Sequence, residues 1–202
     1  FNIYFKMILP IVAYGDPVLR KKGVEISEDY PKLKEFIADM WETMYEASGV
    51  GLAAPQVGRA IRLFIIDASP FADDENVSEE ENAQLAEMKM VFINPNIISE
   101  EGEEWAFNEG CLSIPDVRED VFRKPTITIE YLDENFESHT KTFDGIGARV
   151  IQHEYDHIEG ILFTDKLSSL KKRLIKGKLS NISKGKVHAD YRMRFPLMKK
   201  GR

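Results

Sequence analysis

The run Gln152-His153-Glu154-Tyr155-Asp156-His157 sets two imidazoles four residues apart. On an α-helix that spacing is about 40° of azimuth and roughly 6 Å of rise, so both rings project from one face and can chelate one divalent ion. Glu154 sits a step aside, where its carboxylate can reach a water on such an ion without being a ligand. A catalytic ion usually keeps three protein donors and one open position. Six residues past His157, where an extended zinc-protease pattern carries a third His, stands Phe163, and no Glu follows Glu159. Asp165, His188 and Asp190 remain as downstream donors, but each reads more simply as a surface residue. The missing donor is therefore expected upstream. The plainer alternative is two surface histidines at a helix end.

Cys111 is the sole cysteine, so no internal disulfide can form. A lone thiol is most often a small buried hydrophobe, though in a reducing compartment it also survives as a metal ligand. A cytoplasmic protein is expected. No apolar run approaches the roughly 20 residues that cross a bilayer, and no small-residue cleavage site follows Ile3 to Val12. Residues 1–6, ahead of Met7, read as a leader or vector-derived remnant. The net charge of −7 is unevenly spread: residues 1–165 carry 14 Lys+Arg against 33 Asp+Glu, whereas 166–202 carry 13 against Asp190 alone. Such a division suggests a basic tail facing a polyanion.

The elements that must hold these groups can be read from periodicity. Leu33, Phe36, Ile37, Met40, Trp41, Met44 and Tyr45 form one apolar stripe, predicting a helix from about Pro31 to Ala47 that stops before Gly49. The histidine pair belongs to a second helix, with Asp144 as N-cap and Gly160 as terminator. A third is expected over about 169–178, and the chain from Asn181 onward reads as irregular. Strands are expected at 61–66, 90–93, 96–101, 126–131 and 136–143, the last two joined by an Asp133-Glu134-Asn135 turn. His139 falls in the last of these as an exposed residue. Residues 69–89, rich in Asp and Glu, read as a solvated surface insertion. The fold class is α+β: mixed, mainly antiparallel sheets around the central histidine-bearing helix, with a C-terminal helix and basic tail. The organisation is a catalytic region over 7–165 followed by a basic segment over 166–202.

Three segments together are similar to those of the peptide deformylase family. They are Gly49-Val50-Gly51-Leu52-Ala53-Ala54-Pro55-Gln56-Val57-Gly58, Glu109-Gly110-Cys111-Leu112-Ser113-Ile114-Pro115, and Gln152 to His157. Their order and spacing agree, and the likeness extends from Met7 to about Lys166. The acidic insertion and the basic tail depart from it. The resemblance implies that Cys111, His153 and His157 hold the metal, with Fe(II) native and Zn(II), Ni(II) or Co(II) as possible occupants. It makes Glu154 the general base toward a water activated at the ion. Gln56 and the Leu112 backbone N–H become donors to the carbonyl oxygen, and Glu109, Gly110 and Arg118 contacts to the peptide. The reaction implied is removal of the formyl group from N-terminal formylmethionine of new polypeptides, releasing formate.

The residues add their own reasons. Gly49 and Gly51 remove side chains, so a peptide could lie along this segment, with Val50, by β-addition. Val50, Phe107, Ile146 and Val150 are placed by position to wall a methionine pocket. The basic tail suggests contact with ribosomal RNA; a monomer is expected. Two other classes compete: a general metallopeptidase, which would lack the Cys111 segment, and a binding protein with a structural metal, which would be closed by a fourth protein ligand.

Overall fold

The computed structural model describes residues 6–73 and 77–198. Asp74 and Glu75 of the acidic insertion, residues 1–5 of the expected leader and the last four residues of the basic tail lie outside them. Lys6, the only placed residue of that leader, pairs with Glu42.

In chain order the strands are β1 (Ile11–Val12), β2 (Gly51–Ala53), β3 (Leu63–Asp67), β4 (Lys89–Glu101), β5 (Trp105–Cys111), β6 (Ile114–Arg123), β7 (Thr126–Leu132), β8 (Ser138–Phe143) and β9 (Met193–Arg194). The helices are α1 (Leu33–Glu46), α2 (Glu79–Ala86), α3 (Gly145–Ile158) and α4 (Ser169–Ser183). Five strands form an antiparallel sheet in the order β2-β3-β4-β7-β8, β5 and β6 form a separate antiparallel hairpin, and β1 pairs with β9 in parallel. This is the α+β arrangement of mainly antiparallel sheets that the sequence implies.

The alternation in β3 explains how the sheet divides the interior. Leu63 and Ile65 face a cluster built on α1, while Phe64 and Ile66 face one built on α2 and α3. Helix α1 has no side-chain N-cap, and its preceding residue Lys32 is left-handed at φ 55°. Burial of Phe36, Ile37, Met40 and Met44, about 1.5–3 kcal/mol each, far exceeds the roughly 1 kcal/mol that a cap supplies. The helix ends through Ser48 at φ 53°, not Gly49, whose amide bonds Met44 O at 2.9 Å. Gly49 serves a different need: a Cβ there would lie 2.8 Å from Leu112 Cδ1.

Other expectations change shape. The strands expected at 90–93 and 96–101 are one, β4, bent where Asn94 (φ 48°) precedes Pro95 and ties its side chain to the Ile26 backbone. The turn before β8 runs through Phe136 (φ 61°), so β8 starts later than expected. His139 is half-buried, stacked on Tyr131 and bonded to Asp133 at 2.7 Å. The acidic insertion is not merely solvated surface. Its α2 buries Leu85, Met88 follows into the same cluster, and Phe71 packs edge-on against Phe107. The basic segment is also no loose tail. Ile175, Leu179 and Ile182 of α4 share a third core cluster with Val12, Leu19, Val117 and Phe163, and β9 returns to β1.

Candidate metal centre and substrate groove

Helix α3 carries the central side chains. Asp144 stands at its N-cap but does not cap it: its Oδ1 accepts from Thr126 Oγ1 at 2.6 Å. Glu81 of α2 supplies the cap instead, accepting from Ile146 N at 2.9 Å. At the other end Gly160 is left-handed at φ 74°, with Ile161 N bonded back to Asp156 O at 2.9 Å. The result is an unbroken helix that presents His153 and His157 toward the end of β5.

There the thiol of Cys111 and the ring nitrogens of both histidines lie within 4.8 Å of one another. Cys111 Sγ is 3.3 Å from His157 Nε2. Donors on a tetrahedral zinc-like ion, at about 2.3 Å for sulfur and 2.0–2.1 Å for nitrogen, are separated by roughly 3.3–3.6 Å, so the trio fits a metal. Asp133, Glu137 and His139 also come together on the β7–β8 turn. There Asp133 Oδ1 is already taken by the amides of Asn135 and Glu137.

His153 is held from behind. Its Nδ1 lies 2.9 Å from Glu109 Oε2, leaving the other nitrogen for the Cys111 side. Glu109 is buried and also bound by Arg123 Nε at 2.7 Å, Arg123 Nη2 at 3.0 Å and Arg149 Nη1 at 3.1 Å. Arg123 reaches on to Asp156 at 2.6 Å. Burial works against the Glu109 charge, but the bonds from His153 and Arg123 outweigh it and hold this carboxyl well below the usual range. Burial likewise opposes charge on His153, yet Cys111 and Glu109 together raise its pKa. For His157, burial and then the neighbouring His153 push the pKa down, favouring the neutral imidazole. The Glu109 carboxylate thus faces this buried cluster, while the residue itself also lines the adjoining groove.

Glu154 is buried beside the trio. Burial pushes its carboxyl up to about 7, and its Oε2 has no hydrogen-bond partner among the described residues. Gly51 makes room for it, since a Cβ there would lie 2.4 Å from Glu154 Oε1. Gln56 is buried in the short 3-10 turn Ala54–Val57. Its Oε1 accepts from Ala53 N at 2.9 Å, which aims Nε2 at Ser113 Oγ (3.3 Å) and Cys111 Sγ (3.5 Å).

A groove of about 510 Å³ opens over these groups, bounded by Gly49, Val50 and Gly51 on one side and by Phe107 to Leu112 on the other. Val150, His153 and Glu154 line it from α3. Val50, Phe107 and Val150 thus reach the groove, but Ile146 does not; it faces Leu85 and Met88 in the core, and Phe71 stands in the wall instead. Arg118 is exposed at the rim, held by Asn108 through Nε at 2.8 Å and Nη2 at 2.7 Å. Gly110 lets it lie there, because a Cβ would come within 2.7 Å of Arg118 Nη1. Sequence reasoning misses Arg123, Arg149, Phe71 and Glu81. Arg123 lies in a strand the sequence does not announce and Phe71 and Glu81 in the insertion, whereas Arg149 stands one turn before His153 on the recognised helix and could have been found from that spacing.

A family model described as Polypeptide deformylase matches residues 8–173. The chain belongs to the peptide deformylase family. It is 70% identical over 196 residues to a peptide deformylase of Christiangramia forsetii, covering 97% of this chain and 100% of that protein. A peptide deformylase of Flavobacterium johnsoniae is 67% identical over the same shares. Among solved structures, the Thermus thermophilus peptide deformylase superposes with a TM-score of 0.74 at 38% identity, covering 87% of this chain and 98% of that one. The chain is accordingly a metal-dependent hydrolase that removes the N-formyl group from the N-terminal methionine of newly made polypeptides. No helix among its described residues is long and apolar enough to cross a membrane.

Proposed function

We propose that deformylation takes place in the groove between β2 and β5, with Cys111, His153 and His157 holding the metal. The observation that carries this reading is the convergence of one thiol and two imidazoles, within 4.8 Å, from strand β5 and helix α3. The ion supplies Lewis acidity, which lowers the pKa of a water from about 15.7 toward 7. Glu154 takes the proton of the attacking water and returns it to the departing amine; a carboxyl raised toward neutrality by burial suits that exchange. Gln56 Nε2 and the Leu112 N–H donate to the oxygen of the formyl group as negative charge develops there. Gln56 is fixed for this by its bond to Ala53 N.

The substrate backbone adds as a strand between β2 and β5, each of which has one edge without a strand partner among the described residues. Gly49, Val50, Gly51 and Gly110 line that path, Arg118 meets the peptide at the rim, and Val50, Phe71, Phe107 and Val150 enclose the methionine side chain. Glu109 acts by orienting His153. A Cys-His-His set suits ferrous iron as well as zinc, nickel or cobalt. Fe(II) is taken as the native ion, and anaerobic purification with elemental analysis tests it. A monomer in the cytoplasm and contact of the basic C-terminal segment with ribosomal RNA complete the reading. The direct test is Glu154→Ala: turnover of a formylated methionyl tripeptide should fall by about 100- to 10,000-fold with metal content unchanged. Retained turnover would remove the general-base assignment.

A further inference from the structure

We propose that Tyr191 is a positioning residue for deformylation, acting from the C-terminal segment to set the direction of the Leu112 N–H. Its hydroxyl donates to Leu112 O at 2.7 Å across 79 residues of sequence. The next carbonyl, Ser113 O, accepts from Tyr14 N at 2.8 Å. Both tethers come from one sub-structure, because Ile11 N and Ala13 N bond Arg192 O and Arg194 O, each at 2.9 Å, as β1 and β9 pair. The peptide plane that follows the Leu112 Cα is thereby pinned. The plane that precedes it begins at Cys111, whose sulfur is committed to the metal cluster. Fixing both neighbours leaves the Leu112 N–H little freedom, and misplacing a reacting group by about 1 Å can cost on the order of 100-fold in rate.

Tyr191 does not line the groove, so its effect passes through this backbone and not through the substrate. Its ring packs with Met193 against the α1 cluster, which gives the hydroxyl a rigid base. The inference rests on the reading of the Leu112 N–H as a donor to the developing oxyanion.

The experiment uses the metal-loaded full chain in three forms: Tyr191→Phe, an amide-to-ester replacement that deletes the Leu112 N–H, and both together. Tyr191→Phe removes one oxygen and keeps the ring among its apolar neighbours. It should lower kcat about 10-fold, part of the roughly 100- to 1,000-fold lost with a whole donor, while KM and metal content hold. Melting temperature should fall by no more than about 2–4 °C, the cost of one hydrogen bond. In the ester background Tyr191→Phe should cost nothing further. If the ester form keeps the wild-type kcat, the donor reading fails and takes this inference with it. If the ester form is slow but Tyr191→Phe is not, the inference is overturned while the donor reading stands. Equal slowing of the amide and ester backbones by Tyr191→Phe would overturn it in the same way.

Discussion

Glu109 concentrates the energetics of the site in one side chain. It neutralises two buried guanidinium groups and orients the His153 imidazole, so a neutral replacement strands Arg149 and leaves Arg123 with Asp156 alone. Breaking a buried pair costs about 3–5 kcal/mol, and losing an orienting partner typically costs 10- to 100-fold in metal affinity. Glu109→Gln should therefore show both effects, in chemical denaturation and in a chelator competition. If either stayed at the wild-type value, the network would not support His153 as described. The sign with pH follows from the lowered pKa. The carboxylate stabilises the fold at neutrality, and that contribution is lost as pH falls below the unfolded value of about 4.3. Glu109→Gln should flatten this acid limb. The histidine pair and Glu154 are legible from spacing alone, because helical geometry fixes their relation. Glu109 is visible as a motif member but not in its role, since only the strand register turns its carboxylate inward.

Secondary structure follows the same division. Helices α1 and α3 announce themselves through apolar periodicity and end signals, and β7 and β8 through alternation. The β5–β6 hairpin is not legible in this way, although it bears Cys111. Its apolar and polar residues do not alternate cleanly along either strand, and Asp116 in β6 even takes φ 61°. The sequence misleads on the cap of α3 because the nearby Asp144 is spent on Thr126, while Glu81 arrives from 65 residues upstream. That long-range cap makes the acidic insertion part of the scaffold. Glu81→Ala should destabilise the protein by about 1 kcal/mol, seen as a fall of roughly 2–4 °C in melting temperature. An unchanged melting curve would mean that solvent satisfies the helix end equally well.

Charge is what the whole molecule adds. The acidic body and the basic C-terminal segment are evident from composition, but composition does not reveal that α4 and β9 are woven into the core. Deleting that segment would thus confound folding with binding. The exposed residues Lys172, Arg173, Lys176 and Lys178 on α4 offer a cleaner handle, set beside the exposed Leu170 and Leu174. Reversing these four charges should weaken co-sedimentation with ribosomes and reduce its salt dependence, while activity on a short formyl peptide is kept. Equal sedimentation at every salt concentration would end the proposal of an RNA contact.

The proposal that deformylation takes place in this groove depends above all on the Cys111–His153–His157 trio holding one ion with a position left open. Metal K-edge absorption of the anaerobically purified holoenzyme measures that shell directly. It should contain one sulfur near 2.3 Å, two imidazole nitrogens near 2.0–2.1 Å and one further light scatterer, with the sulfur lost in Cys111→Ser. A shell without sulfur, or one closed by a fourth protein side chain, would contradict it.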